Sequence, residues 1–255
     1  MTGNGISLDG KTALITGGSK GIGRAIALAY AEAGATVAIT ARGTDELNGV
    51  KKEIEAKGLN CLAITADLSQ DSEIKKAHEA VVDELGDIDI LVNNAGIGYM
   101  VALSDINYDQ FNEVIKLNTW ACLYLSQLCY PAMKNNKSGV IINMASTGGI
   151  KPDVYAGAYS ASKSALIILT KQMASEWGPD GIRSVAICPG LVRTEMAASL
   201  VAHREANGFN NLVNRVGEPH EIAGMAVLLA SDAGSYCQGA IYLMDGGSTV
   251  GTSWK

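Results

Sequence analysis

Short apolar runs bounded by Gly, Asn and Asp alternate with helically spaced stretches along all 255 residues, and this rhythm constrains the chain more than any other feature. The runs read as strands over Thr12–Thr16, Thr36–Ala41, Asn60–Thr65, Ile88–Val92, Gly139–Met144, Ser184–Cys188 and Ala240–Met244. Between them, helices are predicted over Gly21–Ala33, Asp45–Lys57, Asp71–Leu85, Asp109–Lys134, Tyr159–Trp177 and Glu218–Ala230. Runs that are apolar at nearly every position suit strands covered on both faces. Strand–helix–strand units repeated this often build a parallel sheet through right-handed crossovers. The expected class is therefore α/β, a doubly wound, seven-stranded parallel sheet flanked by helices.

No Pro/Ser-rich linker, compositional shift or internal repeat divides the chain, so residues 1–255 read as a single domain for binding and chemistry. The rhythm fails once. Leu191–Val216 is longer than an ordinary connection and holds Gly208, Asn210 and Asn211, as expected of a lid or binding loop.

Composition narrows the function classes. Only 5% of residues are aromatic while 47% are hydrophobic, so Ala, Val, Ile and Leu must fill the core, which suits helices lying close on a sheet. The net charge of −6 and the lack of a basic cluster argue against a nucleic-acid partner. Cys61, Cys122, Cys129, Cys188 and Cys237 are scattered without a C-x-x-C pair, and read as reduced, mostly buried thiols of a cytoplasmic protein. His78, His203 and His220 lack metal-ligand spacing and are expected at the surface; no metal is predicted. The opening MTGNGISLDGK is polar and unlike a secretory signal. No membrane association is expected, because the most apolar helical stretch, Val114–Met133, carries Lys116, Asn118, Ser126 and Gln127 and so reads as a buried helix.

After the first strand, Thr16-Gly17-Gly18-Ser19-Lys20-Gly21-Ile22-Gly23 runs straight into the helical Arg24-Ala25-Ile26-Ala27. Glycines there let the backbone approach a pyrophosphate, and a helix N-terminus supplies N–H donors and a favourable dipole. Gly23 would let the helix pack closely on the strands. The spacing departs from G-x-G-x-x-G, so the turn alone also fits an ordinary strand-to-helix connection.

Other residues extend the pattern. Asn93-Asn94-Ala95-Gly96 follows the fourth strand, Asp67-Leu68 the third, and Pro189-Gly190 with Val192 and Thr194 the sixth. Ser146 ends the fifth strand, and twelve residues separate it from Tyr159. Tyr159 and Lys163, four apart at a helix start, project from one face. In this order, T-G-x-x-x-G-I-G, N-N-A-G and Ser…Tyr-x-x-x-Lys resemble the short-chain dehydrogenase/reductase family over nearly the whole chain.

The resemblance implies a single-domain Rossmann fold and a nicotinamide cofactor held by Gly17, Ser19, Lys20, Gly21, Ile22, Gly23, Arg42, Asp67, Leu68, Asn94, Ala95, Gly96, Tyr159, Lys163, Pro189, Gly190, Val192 and Thr194. It implies Asn118, Ser146, Tyr159 and Lys163 as the catalytic set, with Lys163 also gripping the nicotinamide ribose and Asn118 holding a water that links Lys163 to solvent. A homotetramer is implied too, pairing helices around Asp109–Lys134 and Tyr159–Trp177, where Ala161, Ser164 and Ala165 permit close approach. Taken singly, Ser146 could be a turn cap, Asn118 a satisfied buried amide, and Tyr159/Lys163 a surface pair.

The chemistry explains the side chains. Hydride addition to a ketone makes an alkoxide that must be protonated as it forms. A free phenol, with a pKa of about 10, needs roughly 4 kcal/mol of differential stabilisation to work near neutral pH. One ammonium at about 5 Å, with an effective dielectric near 20, supplies about 3 kcal/mol. A serine hydroxyl stabilises the charge developing on the carbonyl oxygen.

At the end of the second strand stands Ala41, where an NAD-preferring enzyme would carry an acid for the ribose hydroxyls. Arg42 follows and Lys20 lies in the glycine turn, so NADP(H) is expected. The substrate pocket should be built from Ile97–Tyr99, Thr147–Ala158 and Leu191–Val216. Gly98, Tyr99, Gly148, Ile150, Val154, Leu191 and Met196 are its candidate lining, mainly apolar, for a small to medium uncharged ketone or secondary alcohol. Two rival functions remain: a 3-oxoacyl-[acyl-carrier-protein] reductase, disfavoured because Pro131 and Ser175 stand where that group carries docking cations, and a non-catalytic dinucleotide sensor, disfavoured by retention of Tyr159 and Lys163.

Overall fold

The structure is a computed structural model and describes residues 5–251. Seven parallel strands, β1 (Thr12–Thr16), β2 (Thr36–Ala41), β3 (Cys61–Thr65), β4 (Ile90–Asn93), β5 (Gly139–Met144), β6 (Ile182–Pro189) and β7 (Ile241–Met244), form one sheet in the order 3-2-1-4-5-6-7. The order reverses between β1 and β4, which pair through Ile15 and Val92. The C-terminal ends of strands at such a reversal are where a doubly wound sheet opens a crevice.

Alternation along the strands divides the core in two. Ala13 and Ile15 of β1 face one layer, with α1 (Gly21–Glu32), α2 (Thr44–Glu55) and α8 (Pro219–Ala230). Leu14 faces the other, built on α3 (Asp71–Leu85), α5 (Ala121–Asn136) and Met173 of α6 (Gly157–Trp177). Two-sided burial accounts for the unbroken apolar runs: every residue of β1, β4 and β5 is buried.

Three expectations need correction. The single helix predicted over Asp109–Lys134 is α4 (Tyr108–Ile115), a π-helical turn (Lys116–Trp120) and then α5. In the wide turn Ala121 N–H reaches back five residues to the Lys116 carbonyl, and Asn118 is rotated wholly into the interior. Single wide turns of this kind recur at functional sites. The segment Leu191–Val216 is not all loop, since it contains α7 (Ala198–Asn207). His203 and His220 are exposed, whereas His78 is half-buried and its pKa is lowered by desolvation. The described cysteines form no disulfide, and burial pushes the Cys61 and Cys129 thiols up to about 12. No described helix is long and apolar enough to cross a membrane.

Candidate active site

A cleft of about 530 Å³ runs over the C-terminal ends of β1 and β4. Its floor is the glycine turn, in which Gly17 (φ +66°) and Gly21 (φ +53°) take the left-handed conformation that other residues avoid. A β-carbon on Gly17 would lie 2.8 Å from Asn94 Nδ2 and 3.1 Å from Ala95 Cα, so the turn and the Asn94-Ala95-Gly96 strand end share one surface. Thr16 Oγ1 welds them, accepting from the Asn94 and Ala95 amides at 2.9 Å each, while Asn94 Nδ2 donates to the Thr16 carbonyl at 2.8 Å. The first turn of α1 carries no acidic residue, so its free N–H groups face the cleft unopposed, as a pyrophosphate requires. The volume and this anion cradle together fit a dinucleotide.

Ser146, Tyr159 and Lys163 line the same cleft. Ser146 is extended, and its Oγ accepts the Gly148 N–H at 3.0 Å, capping the short turn Thr147–Gly149. That cap orients the hydroxyl and leaves its proton to donate elsewhere. The turn is pressed onto α6 at Lys163: a β-carbon on Gly149 would lie 2.7 Å from the Lys163 carbonyl carbon, and Ser164 Oγ donates to the Gly149 carbonyl at 2.7 Å. Lys163 is 4% exposed, yet no described carboxylate pairs with it; its Nζ donates to the Met144 carbonyl at 2.8 Å and lies 5.6 Å from the Tyr159 ring centroid. An ammonium kept free of carboxylates projects its field undiminished onto the neighbouring phenol.

Asn118 lies beneath the cleft rather than on its wall. Its Oδ1 accepts from Ile97 N–H at 2.9 Å, and its Nδ2 donates to the Ile97 carbonyl at 2.8 Å and to Ser162 Oγ at 3.0 Å. Ser162 Oγ in turn donates to the Tyr159 carbonyl at 2.7 Å. One buried amide thus ties the loop after β4 to the first turn of α6.

Leu191–Val216 borders the cleft through Leu191, Val192 and residues 194–197. Its ends are zipped by Arg193 N–H to Gly217 O at 2.9 Å and Gly217 N–H to Leu191 O at 3.0 Å. Thr194 comes down on the glycine turn, its Cγ2 3.0 Å from where a Gly21 β-carbon would stand, and Glu195 pairs with Lys20 at 3.0 Å. Behind it, Arg215 holds Glu221 in a bidentate pair at 2.7 and 2.6 Å. This pair, with the Glu218 amide, holds the Glu221 carboxyl at about 2, against an ordinary 4.5. A depressed acid stabilises its contact fully above the free pKa and loses it as pH falls through the bound one. Amide protection factors across residues 191–216 are therefore expected to hold down to about pH 4.5 and decline toward pH 2. Glu221→Gln should abolish that acid step, and an identical step in the variant would exclude the pair as its origin.

The wall of the cleft includes every expected cofactor residue except Gly23, which lies behind the turn against the Gly17 carbonyl and Asn94. Of the expected substrate residues, Leu191 and Met196 line the cleft, while Gly98, Tyr99, Gly148, Ile150 and Val154 do not. Gly98 packs behind the Tyr159 ring, Gly148 backs Ser146, and Tyr99 bonds to Glu113. Ile150 and Val154 are 48% and 76% exposed at the outer rim. Sequence reasoning missed Glu46 and Glu195, both on the cleft wall, and Ser162 beneath it. For Ser162 the only signal was its place between Tyr159 and Lys163 on an otherwise small-residue face.

Residues 11–205 match the family described as short chain dehydrogenase. The oxidoreductase UcpA of Salmonella typhimurium is 36% identical over 253 residues, covering 95% of this chain and 96% of its own. The 7α-hydroxysteroid dehydrogenase solved with NADH and 7-oxo glycochenodeoxycholic acid superposes with a TM-score of 0.91 at 33% identity, over 97% of this chain and 98% of the other. A gluconate 5-dehydrogenase from Burkholderia cenocepacia, solved with NADP and tartrate, gives 0.91 at 30% identity over 97% and 98%. With its glycine turn, its Ser-Tyr-Lys cleft and this similarity along nearly its whole length, the chain belongs to the short-chain dehydrogenase/reductase family of oxidoreductases acting on alcohol and ketone groups.

Proposed function

We propose that the chain is an NADP(H)-dependent oxidoreductase interconverting a small to medium, largely uncharged ketone and its secondary alcohol, with Tyr159 as general acid and base. The observation that carries this reading is the Lys163 ammonium, free of any described carboxylate, 5.6 Å from the Tyr159 ring on the wall of a dinucleotide-sized cleft. When bound, the reduced nicotinamide supplies the hydride. Ser146 donates its free hydroxyl proton to the carbonyl oxygen and stabilises the charge gathering there. Tyr159 passes its proton to that oxygen, and Lys163 stabilises the phenolate left behind. The Asn118 side chain is bonded to Ile97 and Ser162, so a water linking Lys163 to solvent would have to rest on the Asn118 main chain.

Relatives solved with NADH and with NADP leave the family neutral on the cofactor. The choice of NADP(H) rests on Ala41 in place of an acid, and on Arg42, which is exposed and has no ion pair among the described residues. An unpaired guanidinium suits a phosphate dianion. Titration with both reduced cofactors should show tighter binding of NADPH, and equal affinities would overturn that choice. The apolar wall of Ile97, Leu191 and Met196 supports an uncharged substrate. A panel of ketones and secondary alcohols, followed by the absorbance of the reduced cofactor, tests this, and turnover confined to anionic carbonyls would refute it. Exposed Tyr108, Trp120 and Ile168 on α4 to α6 support pairing of copies into a homotetramer, and the unpaired thiols support a cytoplasmic setting.

A further inference from the structure

We infer that Glu46 sets how strongly the cleft discriminates a 2′-phosphate, by holding Lys20 neutralised in a clamp of two carboxylates. This rests on the reading of the cleft as a dinucleotide site. Lys20 Nζ lies 3.2 Å from Glu46 Oε1 and 3.0 Å from Glu195 Oε2, the first from the opening turn of α2 and the second from the lid. Lys20, Arg42, Gly43 and Glu46 wall the same end of the cleft as Ala41. A carboxylate five residues after Ala41 thus reaches the same wall beside Lys20, folded back over Gly43, whose lack of a β-carbon leaves it room.

The charges decide the consequence. Lys20, Glu46 and Glu195 together carry one net negative charge, and Arg42 only restores neutrality. A 2′-phosphate dianion gains Lys20 only by displacing Glu46, or else rests beside a like charge. A ribose with a free 2′-hydroxyl meets neither cost, since a carboxylate accepts from a hydroxyl. Glu46 therefore narrows the advantage that Lys20 and Arg42 would otherwise give the phosphorylated cofactor. The rival role for the same contact is that Glu46 tethers Lys20 in position for the phosphate, which makes the opposite prediction.

The test uses only the adenosine end of the cofactor, with calorimetric titration of the full chain by adenosine 2′,5′-bisphosphate and by 5′-AMP. Glu46→Gln should tighten the bisphosphate about fivefold, the ceiling for releasing an exposed ion pair, and leave 5′-AMP within about twofold. In a Lys20→Met background the same substitution should move the ratio less than in the wild type, because only the like-charge repulsion is then relieved and no cation is released. Gly43→Ala, whose methyl takes the place of the folded-back carboxylate, should shift the ratio in the same direction as Glu46→Gln. A ratio that stays put or falls in Glu46→Gln, while the wild type binds both nucleotides, would sink the role of Glu46 alone. A wild type that binds neither nucleotide nor NADPH would remove the dinucleotide reading and this inference with it.

Discussion

Tyr159→Phe is expected to lower turnover about a thousandfold while leaving NADPH affinity and thermal stability close to those of the wild type. The two halves of this expectation have separate causes. The phenolic hydroxyl makes no hydrogen bond to any described residue, so removing it orphans no internal partner. The ring remains against Gly98, where a β-carbon would stand 3.1 Å from Tyr159 Cδ2, so packing at the start of α6 is retained. What disappears is the proton donor that must act as the alkoxide forms, and a positioned donor contributes about a hundred- to ten-thousandfold. Steady-state rates on any ketone found active, set beside fluorescence titration with NADPH and a melting curve, check all three quantities. A loss below about tenfold would assign the proton to another group. A large loss accompanied by weak cofactor binding would mean that the hydroxyl holds the nicotinamide end rather than the proton.

The sheet was legible because both of its faces are covered. Buried on two sides, β1, β4 and β5 had to be apolar throughout, and their bounds shift by no more than two residues from expectation. Tyr159, Lys163 and Ser146 were legible because their spacing is local, one turn of a helix and the end of a strand. The π turn and Glu46 were missed for a different cause, contacts made across the chain. The π turn at Lys116–Trp120 has no local cue; it accompanies the hydrogen bonds of Asn118 to Ile97, twenty-one residues away. Helix α7 buries only Val201, so no apolar stripe marks it. Glu46 looks like an ordinary first-turn carboxylate of α2, and only the fold brings it to Lys20. Ile150 and Val154, expected in the pocket lining because they are apolar, follow the turn that Ser146 caps and stand exposed outside the cleft wall.

Asn93→Ala should cost about 2 to 3 kcal/mol, the price of leaving buried partners unsatisfied, and lower Tm by about 5 to 10 °C for a chain of this size. Asn93 and Asn143 face each other in register on β4 and β5, each no more than 1% exposed in a sheet centre otherwise filled with Val, Ile and Leu. Asn93 Nδ2 donates to Asn143 Oδ1 at 2.8 Å and shares its other proton between Ser126 Oγ at 3.1 Å and the Cys122 carbonyl at 3.3 Å. Asn143 Nδ2 passes the chain on to Thr170 Oγ1 at 2.9 Å, and Thr170 donates to the Leu166 carbonyl. The network therefore joins the two strands to α5, which follows the wide turn of Asn118, and to α6, which carries Tyr159 and Lys163. Truncating Asn93 strands Asn143 Oδ1 without a donor in a dry interior, and truncating Asn143 strands the one Asn93 Nδ2 proton that it accepted, the other keeping Ser126 and Cys122. Removing both removes the mutual orphan, so the double variant should be more stable than the sum of the single losses predicts, by about 1 kcal/mol or more. Strict additivity in that cycle would mean that the two amides act independently and that water satisfies what the substitutions expose. Coupling would show instead that Asn93 and Asn143 act as one hydrogen-bonded unit at the sheet centre, whose first residue also leads into the Asn94-Ala95-Gly96 wall of the cleft.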